Sequence, residues 1–419
     1  MISFAQSVTA DNNANERMTT TRMITTKVPK DELTRRIKRF SAELDKVYDN
    51  WELCAITGNI NIFYLTGTVC DGVLMIRRGD AATLWVRKSY ERALLESEFD
   101  DIRPMRSFRD VAAGTGPLPE TLYLDTAQAT LEWYGLLNKH MCFNNVMSAD
   151  KAILTARAVK SEYEIERMRI AGDSVNRILN ENLISLLYEG ISEVEFGVKL
   201  FSLYMDNGHH GICRFSMRGV ETFFGHIAFG DSTLYPSAFD GASGIAGICP
   251  AVPVLGSRER LLREGDLMFV DSCFGVDGYH IDKTLIYSYK RPQAENVIAV
   301  HRHCLEIEAL AASMLRTGVK PSDIYQEALK SVKPELLNSF MGAPGRTVSF
   351  LGHGIGLNAD EMPVLARGFD EPLEAGMTIA IEPKIGIEGV GMVGSENTYL
   401  VTDNGGVCLT GSAMDIVVC

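Results

Sequence analysis

Apolar residues recur at a helical interval between Asp31 and Tyr48, where Leu33, Ile37, Phe40, Leu44 and Val47 form one stripe, and this spacing predicts an amphipathic helix. Short apolar runs follow at Leu53 to Ile56, Gly72 to Ile76 and Ala82 to Val86, and each reads as a strand. A helix is expected near Ser89 to Glu98 and a further strand at Thr121 to Leu124. Such alternation of short strands with helices predicts an α/β domain.

The pattern changes around Leu154 to Ser161. A new helix is expected there, with Ser161 as its N-cap and Glu164 closing a capping box. Its buried stripe would run through Ile165, Met168, Ala171, Val175 and Ile178 or Leu179. Beyond it, helices such as Glu295 to Leu315 and Pro321 to Lys330 alternate with strands to Cys419, without a periodic repeat. The expected division is an arm at 1–26, an amino-terminal domain at 27–155 and a second domain at 156–419.

Length agrees with two domains, since 419 residues exceed one typical core. Hydrophobic residues at 46% and charged residues at 23% are ordinary globular values. With 41 basic and 54 acidic residues the formal charge is −13, which argues against nucleic acid or an anionic membrane as partner. Nine cysteines without C-x-x-C spacing indicate neither a disulfide framework nor a zinc knuckle, and suit a reducing cytoplasm. No apolar run approaches a bilayer span. Met1 to Ala10 is too short and polar for a secretory signal, and Met18 or Met23 offers an alternative start.

The last third carries the chemistry. Asp271 and Asp282 lie in two apolar-rich runs on either side of Phe274-Gly275-Val276-Asp277-Gly278, the pattern of a β-hairpin. A turn centred on Val276-Asp277 sets Asp271 opposite Asp282, and one centred on Asp277-Gly278 sets it opposite Thr284. Both registers leave the two carboxylates on one face. His353, Glu382 and Glu396 complete a set of five potential metal ligands. Four carboxylates in one apolar pocket repel each other and lose hydration, and two divalent cations would relieve both costs. A carboxylate-rich site with one imidazole suits manganese, cobalt, zinc or ferrous iron.

These motifs resemble the pita-bread metallopeptidases: methionine aminopeptidase, aminopeptidase P, prolidase and creatinase. Arg263 to Tyr287 is similar to the family's Asp-hairpin, and Gly352-His353-Gly354-Ile355-Gly356-Leu357 to its histidine motif. Gly376 to Pro383 and Glu396 to Thr402 resemble its two glutamate motifs. Asn61 to Gly67 resembles the start of the smaller amino-terminal domain in the creatinase and proline-peptidase branch. The resemblance implies a creatinase-type α/β domain followed by a pita-bread domain, a homodimer, and a peptide or small molecule as substrate.

Three positions depart from the pattern. Where proline peptidases carry a His after a Pro upstream of the hairpin, this chain has Pro236-Ser237. A second His normally precedes the Glu after the histidine motif, and here Asp360 precedes Glu361. An Arg normally stands two residues before the last ligand, and here Gly394 does. By resemblance, those three residues bind substrate and move protons.

His280 shares a face with Asp282 and is a candidate ligand, orienter or substitute proton carrier. Thr284 is on the same face and is expected to hydrogen-bond a ligand. Asp360 is a candidate proton acceptor or binder of a cationic group, and His226 a candidate on the substrate side. His209-His210 read as a turn pair, and His301 and His303 as solvated. Cys273 reads as a shielding residue. Asp240-Gly241-Ala242-Ser243-Gly244 lacks the context of a phosphate loop.

The expected activity is a metal-dependent hydrolysis of Xaa-Pro type, with a metal-bridged hydroxide attacking an amide. Losing a positioned acid or base costs about 10²- to 10⁴-fold, or about 3 to 5.5 kcal/mol. That cost keeps two rivals in view: a creatinase-like C–N hydrolase or lyase with Asp360 as base, and a metal-binding relative without catalysis.

Overall fold

A computed structural model describes residues 27–217, 220, 222–237 and 241–419. The arm expected at Met1 to Thr26, and Asp240 of the Gly-rich stretch, lie outside them. The chain forms two compact units that divide between Ala149 and Asp150.

In the first unit the helix Lys30–Val47 precedes a six-stranded mixed sheet. Its strands are β1 (Leu53–Ile56), β2 (Asp71–Arg77), β3 (Ala82–Lys88), β4 (Ile102–Pro104), β5 (Thr121–Leu124) and β6 (Asn145–Ser148), in the order β4-β3-β2-β1-β5-β6. Leu53, Ala55, Val73, Met75, Leu122 and Leu124 supply much of the core beneath helix residues Leu137 and Met141. Every element expected here is present within two residues of its expected ends. Apolar alternation over short runs is the strongest local signal of this architecture.

The second unit opens with the helix Glu162–Arg177. Its capping box is formed, with Ser161 N donating to Glu164 at 2.9 Å and Glu164 N to Ser161 Oγ at 3.4 Å. Strands β7 (Gly225–Phe229), β8 (Leu267–Val276) and β9 (Tyr279–Ser288) precede the helices Glu295–Ser313 and Pro321–Ser331. Ten short strands follow: β10 (Gly342–Ala343), β11 (Arg346–Thr347), β12 (Phe350–Gly354), β13 (Glu361–Ala366), β14 (Thr378–Ile381), β15 (Lys384–Ile387), β16 (Gly391–Gly394), β17 (Glu396–Val401), β18 (Gly406–Cys408) and β19 (Val417–Val418).

The larger sheet runs β13-β12-β14-β17-β9-β8-β7, with β18 added to β17 and β19 to β9, and a smaller sheet runs β11-β10-β15-β16. Phe269, Ile286, Leu351, Ile379, Ile385 and Val393 pack against Cys304 and Ile307 of the first long helix. The turn of the β8–β9 hairpin has Asp277 at φ +50° and Gly278 at φ +94°, the left-handed pair that matches strand twist. This selects the second of the two registers, with Asp271 opposite Thr284 and Cys273 opposite Asp282.

Two readings of histidines are corrected. His301 and His303 are buried. His301 Nε2 meets Met414 O at 2.9 Å and its Nδ1 accepts from Gly394 N at 3.3 Å, while His303 Nε2 accepts from Lys333 N at 3.3 Å. Segments distant in sequence cover a helix face that looks polar by itself. His209 is buried too, and its Nδ1 accepts from Gly275 N at 2.9 Å. His210 lies over Gly275, where a Cβ would stand 2.2 Å from the ring, so only glycine admits it.

Candidate metal centre

Five strands bring the four acidic residues and His353 together. Residues opposite each other on antiparallel strands point to one side, so the hairpin register sets Asp271, Thr284, Cys273 and Asp282 on a common face. β17 lies beside β9 with Glu396 opposite Thr284, and Thr284 Oγ1 donates to Glu396 Oε2 at 3.0 Å. His353 comes from β12, and Glu382 follows the end of β14. All five line one cavity of about 230 Å³, with His226, Asp360, Cys213, Cys273, Phe215 and Phe350 among the other walls.

One cavity residue was not anticipated. Lys384, two residues after Glu382, extends into the same space, and its Nζ lies 3.0 Å from Asp271 Oδ2, 2.8 Å from Glu382 Oε2 and 2.7 Å from Glu396 Oε2. Its side chain is only 2% exposed. Burial disfavours the ammonium, but the three carboxylates outweigh that, and the pKa stands well above the ordinary lysine value. The sequence signal was the two-residue step, which on an extended chain returns a side chain to its predecessor's face.

Lys384 divides the acids into two groups. Burial opposes ionisation of Glu382, but Lys384 and His353 prevail and hold its pKa below the usual range. Asp282 is pushed upward by burial and by neighbouring carboxylates, and Glu396 by burial and carboxylates against the opposing effect of Lys384. Ligand atoms of Asp282, His353 and Glu396 lie within 4.8 Å of one another. Those three residues fit a single divalent cation. Asp271, Glu382 and Glu396 each have the Lys384 ammonium in contact. The donor set therefore offers one candidate metal position, at which Glu396 is shared with Lys384, and a second position coincides with the ammonium.

A second group capable of holding a metal adjoins the cavity. Side-chain ligand atoms of Cys213, Cys273 and His280 also lie within 4.8 Å of one another. His280 is on the expected face but turns away from the cavity lining. Its Nδ1 donates to Gly356 O at 2.9 Å, and its Nε2 stands 3.2 Å from His210 Nε2. Burial lowers its pKa to about 4. Burial likewise raises the Cys273 thiol well above its usual value, which disfavours a thiolate nucleophile.

Asp360 lines the cavity and is held by Ser216, whose N and Oγ both donate to its carboxylate, the latter at 2.8 Å. The adjacent Glu361 is buried and paired with Arg157, with Lys160 Nζ at 3.4 Å and Asn358 N donating at 2.9 Å. His226 is buried opposite Asp271 on β7, and its Nδ1 lies 3.0 Å from Ser243 Oγ.

Residues 166–403 match Metallopeptidase family M24. The chain belongs to that family. Residues 36–159 match the Creatinase/Prolidase N-terminal domain, so M24 membership here carries the two-domain, pita-bread architecture of the prolidase branch. The Xaa-Pro dipeptidase of Pyrococcus furiosus is 26% identical over 85% of this chain and 93% of that one. The putative dipeptidase YkvY of Bacillus subtilis is 26% identical over 65% of this chain and 66% of its own length. The prolidase structure from Pyrococcus horikoshii OT3 superposes with a TM-score of 0.74 at 23% identity, covering 91% of this chain and all of that one (100%). Among the described residues, no helix is long and apolar enough to cross a membrane.

Proposed function

We propose that this protein is a metal-dependent hydrolase of small amides or Xaa-Pro peptides, with a narrower scope than its relatives. The observation that carries the reading is the convergence of Asp271, Asp282, His353, Glu382 and Glu396 in one cavity of an M24 fold. A divalent cation (manganese, cobalt, zinc or iron) would be held by Asp282, His353 and Glu396, and when bound supplies Lewis acidity and an activated water.

The chain's own residues do the rest. Lys384 keeps Glu382 ionised and reaches Asp271 through its ammonium, screening the charge of both. Thr284 fixes the Glu396 carboxylate through its hydroxyl. Asp360, oriented by Ser216, accepts a proton or anchors a cationic substrate group from across the cavity. Besides His353, His226 lines the cavity, whereas His280 bonds to Gly356 and His210. His226, which lines the cavity, is the better placed of the two to meet a leaving nitrogen. Free cysteines throughout suit a reducing, cytoplasmic setting, and a homodimer follows from the family resemblance.

A second reading draws support from the Lys384 contacts and the absence of a side chain at position 394. A cavity with one built-in cation and Asp360 as base suits C–N cleavage or elimination on a small molecule. Turnover of metal-loaded protein on Xaa-Pro dipeptides, small charged amides and sulfonium acids separates the two. Peptide turnover at any reconstituted metal supports the hydrolase. Amide hydrolysis also supports the first reading, and turnover confined to the sulfonium acids, by elimination, supports the second.

A further inference from the structure

The lysine at the centre of the carboxylates has a definite place in the fold. β15 begins at Lys384 and pairs with β16, so the direction of its side chain is set by backbone hydrogen bonding. Pro383 removes a donor between Glu382 and Lys384 and fixes the local backbone. Lys384 Nζ also stands 5.7 Å from the centroid of the Phe269 ring, which closes off the apolar side. At 2% exposure the side chain is almost wholly removed from solvent.

The contacts have the pattern a cation makes. Three carboxylates from three separate strand regions each place one oxygen between 2.7 and 3.0 Å from Nζ. An ammonium has three N–H donors, and all three are used. A divalent ion coordinated by Asp271, Glu382 and Glu396 together would have to share the volume that this nitrogen fills.

We infer that Lys384 is a built-in replacement for one of the two cations of a dinuclear centre, so that the protein binds a single divalent cation, at Asp282, His353 and Glu396. This rests on the metal-dependent reading above and narrows it. Fixed positive charge supplied by the chain cannot be lost to a chelator, and it cannot polarise a carbonyl as a metal does. The chemistry requiring a metal is thereby confined to one side of the cavity, next to Cys273 and His353.

The test is metal stoichiometry, independent of any substrate. Wild type and K384A are stripped with a chelator, loaded with excess manganese(II), desalted and counted by elemental analysis, with circular dichroism as a check on folding. One equivalent in wild type and a doubling to two in K384A is the expected result. Two equivalents in wild type overturns the lysine assignment and leaves the metallohydrolase reading standing. No metal in wild type overturns both. A folded K384A that stays at one equivalent also overturns the assignment. Should K384A fail to fold, the wild-type count alone still decides.

Discussion

Lys384 lies directly opposite Gly394 on the β15–β16 ladder, and only glycine fits at the second position beside this lysine. A Cβ on Gly394 would stand 2.3 Å from Pro383 O and 3.1 Å from Lys384 Cγ, and the residue's φ is +140°. The Arg that the family resemblance leads one to expect there has no room. The positive charge enters from the facing strand instead.

G394A is therefore expected to destabilise the protein by about 1–3 kcal/mol, the usual scale for a side chain forced into that backbone region. Urea unfolding at neutral pH measures it. An unchanged midpoint would mean that the strand pair relaxes freely and that Lys384 and Gly394 are not sterically linked.

Asp360 gives a prediction about activity. D360N keeps the shape and the bond from Ser216 N, with its amide donating to Ser216 Oγ where the carboxylate accepted. It removes the charge, so folding and metal content should be retained while turnover falls by about 10²- to 10⁴-fold. Loss of metal in D360N would make Asp360 a ligand. Unaltered turnover would leave it a wall residue.

Glu361, its neighbour, bears on stability. Burial alone would raise its pKa, but Arg157 and Lys160 hold it below the usual range. The full burial of Lys160 pulls its own pKa down, so the closer Arg157 contributes most of the pairing. Breaking a buried pair from one side typically costs about 3–5 kcal/mol, and E361Q should lose an amount of that order in denaturant unfolding. A depressed carboxylate pKa stabilises the fold above the unfolded value and is lost as pH falls through the folded one. E361Q should consequently be less acid-sensitive than wild type below about pH 4.5.

Buried histidine predicts a second, higher window. Burial lowers the His209 pKa from its usual 6.5 to about 4, against a weaker effect from its bond to Gly275. Over that interval the unfolded chain binds the proton more readily, so stability is complete above about pH 6.5 and declines toward pH 4. H209N can still accept from Gly275 N and cannot titrate. Its melting temperature should vary less with pH between 6.5 and 4 than that of wild type, and equal slopes would place the titration elsewhere.

The elements of both units were legible because apolar spacing and caps are local. Ser161 and Glu164 announce a helix by themselves, and Asp277-Gly278 carries the turn that fixed the hairpin register. The cavity's charge balance was not legible in the same way. A lysine after Glu-Pro reads as an ordinary surface residue until β15 is known to fold against β16. His209-His210 follow Asn207-Gly208, a solvent signal, yet Gly275 from a distant strand makes room for them. His301 and His303 were misread for the same reason: their cover comes from Met414 and Lys333.

The strands bearing Asp282 and Glu396 are tied at three successive rungs. Thr284 bonds Glu396, Lys283 Nζ reaches Asn397 Oδ1 at 2.7 Å, and Thr398 Oγ1 both accepts from Asp282 N at 2.8 Å and donates to Asp282 O at 3.0 Å. Hydroxyls and an amide buried in this way hold the two strands as a stiff frame. An ion seated between the two carboxylates would meet a gap braced against widening, so ionic radius, as much as ligand chemistry, would decide which metals such a site accepts.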